Sequence, residues 1–309
     1  MQRTLKTHIH FEGIGLHSGK TVKMTVYPAM ADRGVVFVRS DVTDRNNVIP
    51  AKYDHVVDTK LCTVIGNGAG VTVGTIEHLM AALAGCGIDN ALIEIDSPEV
   101  PVMDGSSSAF VEAIDETGIQ VQDKPRRTVR VLKEVSVEKD GKRVSLKPGA
   151  IPTFIGEIDF DHPSIGKQRH EIQLLNGNFR HDIADARTFG FKHEVDMLRK
   201  MGLAQGGSLD NAIVLDDTGV LNKGGLRYED EFIRHKVLDA IGDMALAGGP
   251  VIGTYEGEKM GHEMTNLLLR ALFADDSAWR FEDSYIDGDR DTALSFTPRS
   301  GAKHIAVAS

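Results

Sequence analysis

At 309 residues, with 41% apolar and 26% charged side chains, the chain is long enough for two globular domains, each with its own core. Its net charge of -10, from 45 acidic against 35 basic residues, excludes a general binder of nucleic acid, since no basic run is longer than Lys124-Pro125-Arg126-Arg127. No stretch approaches the roughly 20 apolar residues of a membrane-spanning helix, so no stable membrane insertion is expected. Met1 to His10 carries no apolar run of the kind a secretion signal needs, and two cysteines, Cys62 and Cys86, are too few for a disulfide framework. A cytoplasmic chain follows as the expectation.

The opening third alternates as short strands between glycine turns, with Val22 to Val26 and Gly34 to Val38 as the clearest runs. Gly66-Asn67-Gly68-Ala69-Gly70 joins two β-rich segments as a hairpin loop. The period then changes. Ile76, Leu79, Met80 and Leu83 fall at i, i+3, i+4 and i+7, marking a helix that Thr75 can cap and Gly85 can end. Ala91 to Ile95 is a buried-type strand, and Ser106 starts a second helix carrying Phe110, Val111 and Ile114. The polar, proline-broken stretch Asp123 to Arg127 is the best domain boundary, dividing 1–125 from 126–309. Beyond it, Val129 to Leu132 is a strand, and Asp140-Gly141 predicts a type I′ hairpin. A helix is predicted around His193 to Met201, a strand over Ala212 to Leu215, and a long helix from Asp230 to Ala247. A strand over Val251 to Tyr255 and a helix from Gly261 complete the order; the tail beyond Pro298 reads as disordered.

Three groups of residues have the chemistry of a site. His235 and Asp239 are i and i+4 on the long helix, stacked about 5–6 Å apart at Cβ, with Asp243 one turn further. That is chelating distance for a metal ion, and it is equally the spacing of a hydrogen-bonded or solvated pair. The apolar stripe Ile233, Val237, Ala240, Ile241 and Met244 lies on roughly the opposite side. Glu77 and His78 open the first helix and point about 100° apart, so one can bind an ion while the other addresses a water beside it. Read alone, they also fit a surface pair in which Glu77 complements the helix dipole. His262 follows Gly261 at a helix start. His78 and His235 each open a helix that runs through alanines into glycines and then a strand, either a real internal repeat or two amphipathic helices alike by chance. Cys62 and Cys86 lack a nucleophile signature and read as small packing residues.

Taken in order, the segments resemble one family, the UDP-3-O-acyl-N-acetylglucosamine deacetylases. The resemblance rests on GIGLHSGK (Gly13 to Lys20), GTIEHLMAALAGCGIDNALIEID (Gly74 to Asp96) and PVMDGSS (Pro101 to Ser107). It continues through DFDHP (Asp159 to Pro163), ARTFGF (Ala186 to Phe191), EDEFIRHKVLDAIGD (Glu229 to Asp243) and KMGH (Lys259 to His262). It implies an α+β fold of two βααβ domains of the ribosomal protein S5 domain 2-like type, with helix layers packed face to face. It implies Zn2+, with Fe2+ as the competing ion, on His78, His235 and Asp239, and water in the fourth position. Glu77 would be the general base, His262 the general acid, Asp243 the group orienting His262, and Thr188 a donor to the developing oxyanion. Lys236, Lys259 and Lys142 would meet the diphosphate of a UDP-linked acylated amino sugar, and Phe160 would pack on its nucleotide. An inserted β-α-β unit around 191–212 would form an acyl passage, lined by Leu16, Phe189, Phe191, Val195, Gly207, Ala212 and Val214. The activity implied is acetamide hydrolysis by a monomer, the committed step of lipid A biosynthesis.

Two other classes fit parts of the chain. A metal hydrolase for a different nucleotide sugar shares the triad but not the nucleotide and acyl motifs. An RNA-binding module shares the implied fold, and the missing basic face speaks against it.

Overall fold

The computed structural model describes residues 1–284, so the tail beyond Pro298 lies outside the described residues. The chain is α+β. Among the described residues six α-helices follow in order: α1 (Glu77–Gly85), α2 (Ser108–Thr117), α3 (Asn178–Asp182), α4 (Lys192–Lys200), α5 (Glu231–Met244) and α6 (His262–Phe273). None is long and apolar enough to cross a membrane.

Two five-stranded sheets carry the fold, and they share one plan. The first runs Ile9–Ile14, Thr21–Pro28, Ala91–Ile95, Val35–Arg39, Val48–Pro50 in spatial order. The second runs Val135–Lys139, Lys142–Lys147, Thr254–Glu258, Thr153–Phe160, Gly166–Gln173. In each, the central strand pairs in parallel with the fourth, and the other neighbours are antiparallel. One helix precedes each central strand, α1 or α5, and another follows it, α2 or α6. The internal echo between the His78 and His235 segments is therefore a repeat of architecture.

Local chemistry explains the elements. Val22, Met24 and Val26 alternate inward along Thr21–Pro28, giving the sheet one buried face. Asp140 and Gly141 both hold positive φ, 51° and 70°, as a type I′ turn demands between Val135–Lys139 and Lys142–Lys147. The strand expected over Val251 to Tyr255 is two strands. Val251–Ile252 pairs with Arg126–Val131, and the chain then crosses at Gly253 into the five-stranded sheet. A Cβ on Gly253 would stand 2.7 Å from the Lys147 carbonyl oxygen, so the crossing needs glycine. Thr75 does not cap α1. Its backbone sits at φ 55° and its hydroxyl donates to Glu99 Oε1 at 3.0 Å, leaving α1 to begin at Glu77 without a side-chain cap.

The helix layers meet where α1 crosses α5. At the crossing a Cβ on Gly242 would lie 2.0 Å from the Glu77 carbonyl oxygen, so the two backbones touch there only because residue 242 has no side chain. The polar face of α5, opposite its apolar stripe, is covered by α1. His235, Asp239 and Asp243 are all buried as a result. Between the helices, the His78 and His235 rings meet edge to face with centroids 4.9 Å apart. Beside this junction Phe189–Phe191 and Ile213–Leu215 pair in parallel, with α4 and a loop connecting them.

Candidate metal centre and active site

His78, from the first turn of α1, and His235 and Asp239, one turn apart on α5, turn three ligand atoms toward one point. His235 Nε2 stands 3.3 Å and His78 Nε2 3.7 Å from Asp239 Oδ1, and all three atoms lie within 4.8 Å of one another. Two ligand atoms about 2.1 Å from a shared ion at the tetrahedral angle stand about 3.4 Å apart, so the spacing suits a zinc-sized cation with one position open. The protonation states suit it as well. Burial, reinforced by the neighbouring His235, pushes His78 down to about 3, and burial also lowers His235, so both rings are neutral donors. His235 Nδ1 lies 3.0 Å from the Ala186 carbonyl oxygen, which fixes the proton there and leaves Nε2 free. Burial opposes the charge on Asp239, but the Lys236 and His262 cations outweigh it and hold the carboxylate ionised. The Lys236 ammonium sits 2.6 Å from Asp239 Oδ2, so Oδ1 is the oxygen that faces the histidines.

A second, proton-handling layer surrounds the triad. Burial, with Asp239 and Asp243 nearby, lifts Glu77 to about 7 against the pull of His262. A carboxyl tuned to that range can take and release a proton near neutrality. Its Oε2 accepts from the Thr63 amide at 3.0 Å. His262, the first residue of α6, places Nδ1 2.8 Å from Asp243 Oδ2. Burial alone would lower His262, yet Asp243 raises it to about 9, making a cationic acid of it. The other oxygen of Asp243 accepts from the Thr63 hydroxyl at 2.5 Å.

The triad, Glu77 and His262 open on one cavity of about 310 Å³, with Asp243 behind His262 and outside its wall. Of the residues singled out in the sequence, Leu16, Glu77, His78, Phe160, Thr188, Phe189, Phe191, His235, Lys236, Asp239 and His262 line it. Phe160 stands 6.0 Å, centroid to centroid, from both Phe189 and Phe191, forming an aromatic wall. Thr188 is pinned by its backbone, donating to Gly105 O and accepting from Ile213 N, both at 2.8 Å. Lys142, Val195, Gly207, Ala212, Val214 and Lys259 are not in the wall. Gly207 is close to it, since a Cβ there would lie 3.6 Å from Leu16 Cδ1, and Val195 packs beside Gly190. The backbone groups of Ala212 and Val214 bond the Asn222 side chain. Lys142 is exposed at the start of a hairpin strand, and Lys259 follows the central strand of the sheet, its amide on the Glu157 carbonyl oxygen at 2.9 Å.

His17 and Thr63 are polar residues of the site with no role in the sequence reading. His17 lines the cavity with both ring nitrogens buried and unpartnered, and burial lowers its pKa. Its signal was a histidine inside a glycine-rich loop. Thr63 has no motif of its own; nothing short of three dimensions brings it to Asp243, 180 residues away. Cys62 also lines the cavity, with its thiol pushed up to about 12 by burial, which keeps it protonated and inert.

The family model described as LpxC, UDP-3-O-acyl N-acetylglycosamine deacetylase, matches residues 2–274. The chain belongs to this family. The LpxC match spans all six described helices and every cavity residue. Relatives named UDP-3-O-acyl-N-acetylglucosamine deacetylase agree over nearly their whole lengths. That of Phenylobacterium zucineum is 49% identical over 90% of this chain and 95% of its own. That of Acidithiobacillus ferrooxidans is 50% identical over 91% and 93%, and that of Shewanella violacea 45% identical over 97% and 98%.

Proposed function

We propose that the protein hydrolyses the acetamide of UDP-3-O-acyl-N-acetylglucosamine, releasing acetate, in lipid A biosynthesis, at a zinc ion held by His78, His235 and Asp239. The observation that carries this is the convergence of two neutral imidazoles and one carboxylate beside Glu77 and His262 in a single cavity, within an LpxC-family chain. Bound zinc supplies Lewis acidity to the attacking water and the acetamide oxygen, and Fe2+ suits the same donors. Glu77 takes the proton of the water. His262, with Nδ1 engaged by Asp243, delivers a proton from Nε2 to the departing amine. The Thr188 hydroxyl donates to the oxygen on which negative charge develops. Lys236 presents a cation to the diphosphate, and Phe160 a face to the nucleotide. Lys259 and Lys142 are assigned to the diphosphate by sequence alone. The acyl chain leaves the cavity past Leu16, Phe189 and Phe191 toward Val195, Gly207, Ala212 and Val214. We place the domain boundary at residues 125–126, each half an S5 domain 2-like βααβ unit that supplies one histidine-bearing helix. We take the cytoplasm as the compartment and the monomer as the working unit, supported by two free buried cysteines and a site built within one chain.

The substrate assignment is tested by acetate release from the acylated UDP-sugar and from its acyl-free analogue. At about 0.8 kcal/mol for each buried CH₂, removing the chain should lower kcat/KM by roughly 10²-fold or more. Equal values for the two substrates would show that no acyl passage contributes.

The acid assignment predicts the pH profile. Activity needs Glu77 deprotonated and His262 protonated, so kcat/KM should be a bell whose rising limb follows Glu77 and whose falling limb follows His262. With about 7 and about 9 as the metal-free positions, both limbs lie lower in the loaded site, because a nearby cation favours the deprotonated form. Asp243→Asn removes the charge that raises His262, so the falling limb should move to lower pH with metal retained. A falling limb that stays in place in Asp243→Asn would assign the proton to another group.

A further inference from the structure

We infer that Thr63 is a positioning residue for proton transfer at this site, its hydroxyl fixing Asp243 and its amide fixing Glu77. The inference rests on the roles proposed above for Glu77, Asp243 and His262. Thr63 is 2% exposed and sits just before the strand Val64–Gly66. All three of its polar groups are engaged. The amide donates to Glu77 Oε2 at 3.0 Å, the hydroxyl donates to Asp243 Oδ1 at 2.5 Å, and the carbonyl accepts from the Ile76 amide at 3.5 Å. One residue therefore holds the acceptor of the first proton, the partner of the donor of the second, and the backbone where α1 begins.

The division of labour at Asp243 makes the hydroxyl more than a satisfied hydrogen bond. Asp243 is buried, and each of its oxygens receives one donor, Thr63 Oγ1 on Oδ1 and His262 Nδ1 on Oδ2. With Oδ1 engaged, the carboxylate plane cannot turn, and Oδ2 keeps His262 Nδ1 in line. The ring then points its other nitrogen at a fixed place in the cavity. Without the hydroxyl, a buried, ionised oxygen loses its donor, and the carboxylate is free to rotate toward other donors. His262 would stay charged but lose its aim. A group that aims an acid acts on turnover, whereas a group that only supports the fold acts on stability and metal content.

Thr63→Val deletes the hydroxyl, keeps the shape and leaves the amide on Glu77. The expected result is a kcat roughly 10- to 100-fold lower, the range for a lost hydrogen bond to a charged group, with KM within about twofold and metal content unchanged. Thr63→Ser restores the donor and should recover kcat to within about threefold of the wild type. In an Asp243→Asn background, Thr63→Val should cost less than about threefold more, because both changes act through one carboxylate. Wild-type kcat in Thr63→Val, effects that multiply in the double variant, or a Thr63→Ser protein as slow as Thr63→Val would each overturn the inference. If Thr63→Val does not fold, Thr63→Ala makes the same deletion. Unfolding of both would mark the hydroxyl as structural and overturn it too. A wild-type protein that releases no acetate from the UDP-linked substrate would sink the underlying reading as well, whereas an active wild type with an insensitive Thr63→Val sinks this inference alone.

Discussion

Alanine at His78 or at His235 is expected to empty the metal centre and lower acetate release by at least roughly 10³-fold, since the Lewis acid leaves with the ligand. The two histidines come from different helices, α1 and α5, in the two repeated halves of the fold. Neither alone makes a site. Asp239 with one remaining imidazole offers two donors, and the nearest other charge, Lys236 at 2.6 Å from Asp239 Oδ2, is a cation that would close over the abandoned carboxylate. Loss of metal should not mean loss of fold, because the helix crossing at Gly242 and the apolar packing around it do not pass through the imidazoles. Metal analysis, acetate release and thermal unfolding on the same preparations make the check. Variants that keep a full complement of metal and wild-type activity would refute the triad.

Glu77→Ala should separate a base from a ligand. The protein should keep its metal and lose roughly 10² or more in kcat, the usual contribution of a positioned base. The physical reason is the raised pKa of Glu77, about 7, set first by burial, which makes it a proton carrier near neutrality. Glu77→Gln is the sharper variant, because the amide oxygen can still accept from the Thr63 N–H that now bonds Glu77 Oε2 at 3.0 Å. It should fold and bind metal as the wild type does and remain slow. Metal lost together with Glu77 would make that carboxylate a ligand and remove the base from the mechanism.

The parts of this site that were legible in the sequence are those set by spacing along one helix. His235, Asp239 and Asp243 share a face of α5 because 3.6 residues make a turn, and Glu77 and His78 diverge for the same reason. Spacing could not say which way that face looks. Spacing set that side opposite the helix's own apolar stripe and left solvent and a site both open; it is buried because Gly242 admits the backbone of Glu77, a contact between residues far apart in the chain. The same limit hid Thr63, whose partners Glu77 and Asp243 lie 14 and 180 residues away. Boundaries failed where side chains had competing partners. Thr75 looked like a cap and instead bonds Glu99, and the strand through Gly253 divides because two sheets claim its ends. The resemblance to a family supplied the acyl and diphosphate residues, and the cavity wall contains Leu16, Phe189, Phe191 and Lys236 but not Val195, Ala212, Val214, Lys142 or Lys259. Val195 lies on the short helix α4, Ala212 and Val214 at a three-residue strand, and Lys142 and Lys259 at strand ends, where pattern fixes a position in the chain but not a direction in space.

The proposed deacetylation depends on one metal ion on His78, His235 and Asp239. The most direct measurement is metal content per chain taken alongside acetate release from UDP-3-O-acyl-N-acetylglucosamine, before chelation, after it, and after return of Zn2+. The expected result is about one catalytic ion per chain, activity that disappears with it, and activity that returns in proportion to the zinc restored. Undiminished acetate release from chain stripped of metal would contradict the account.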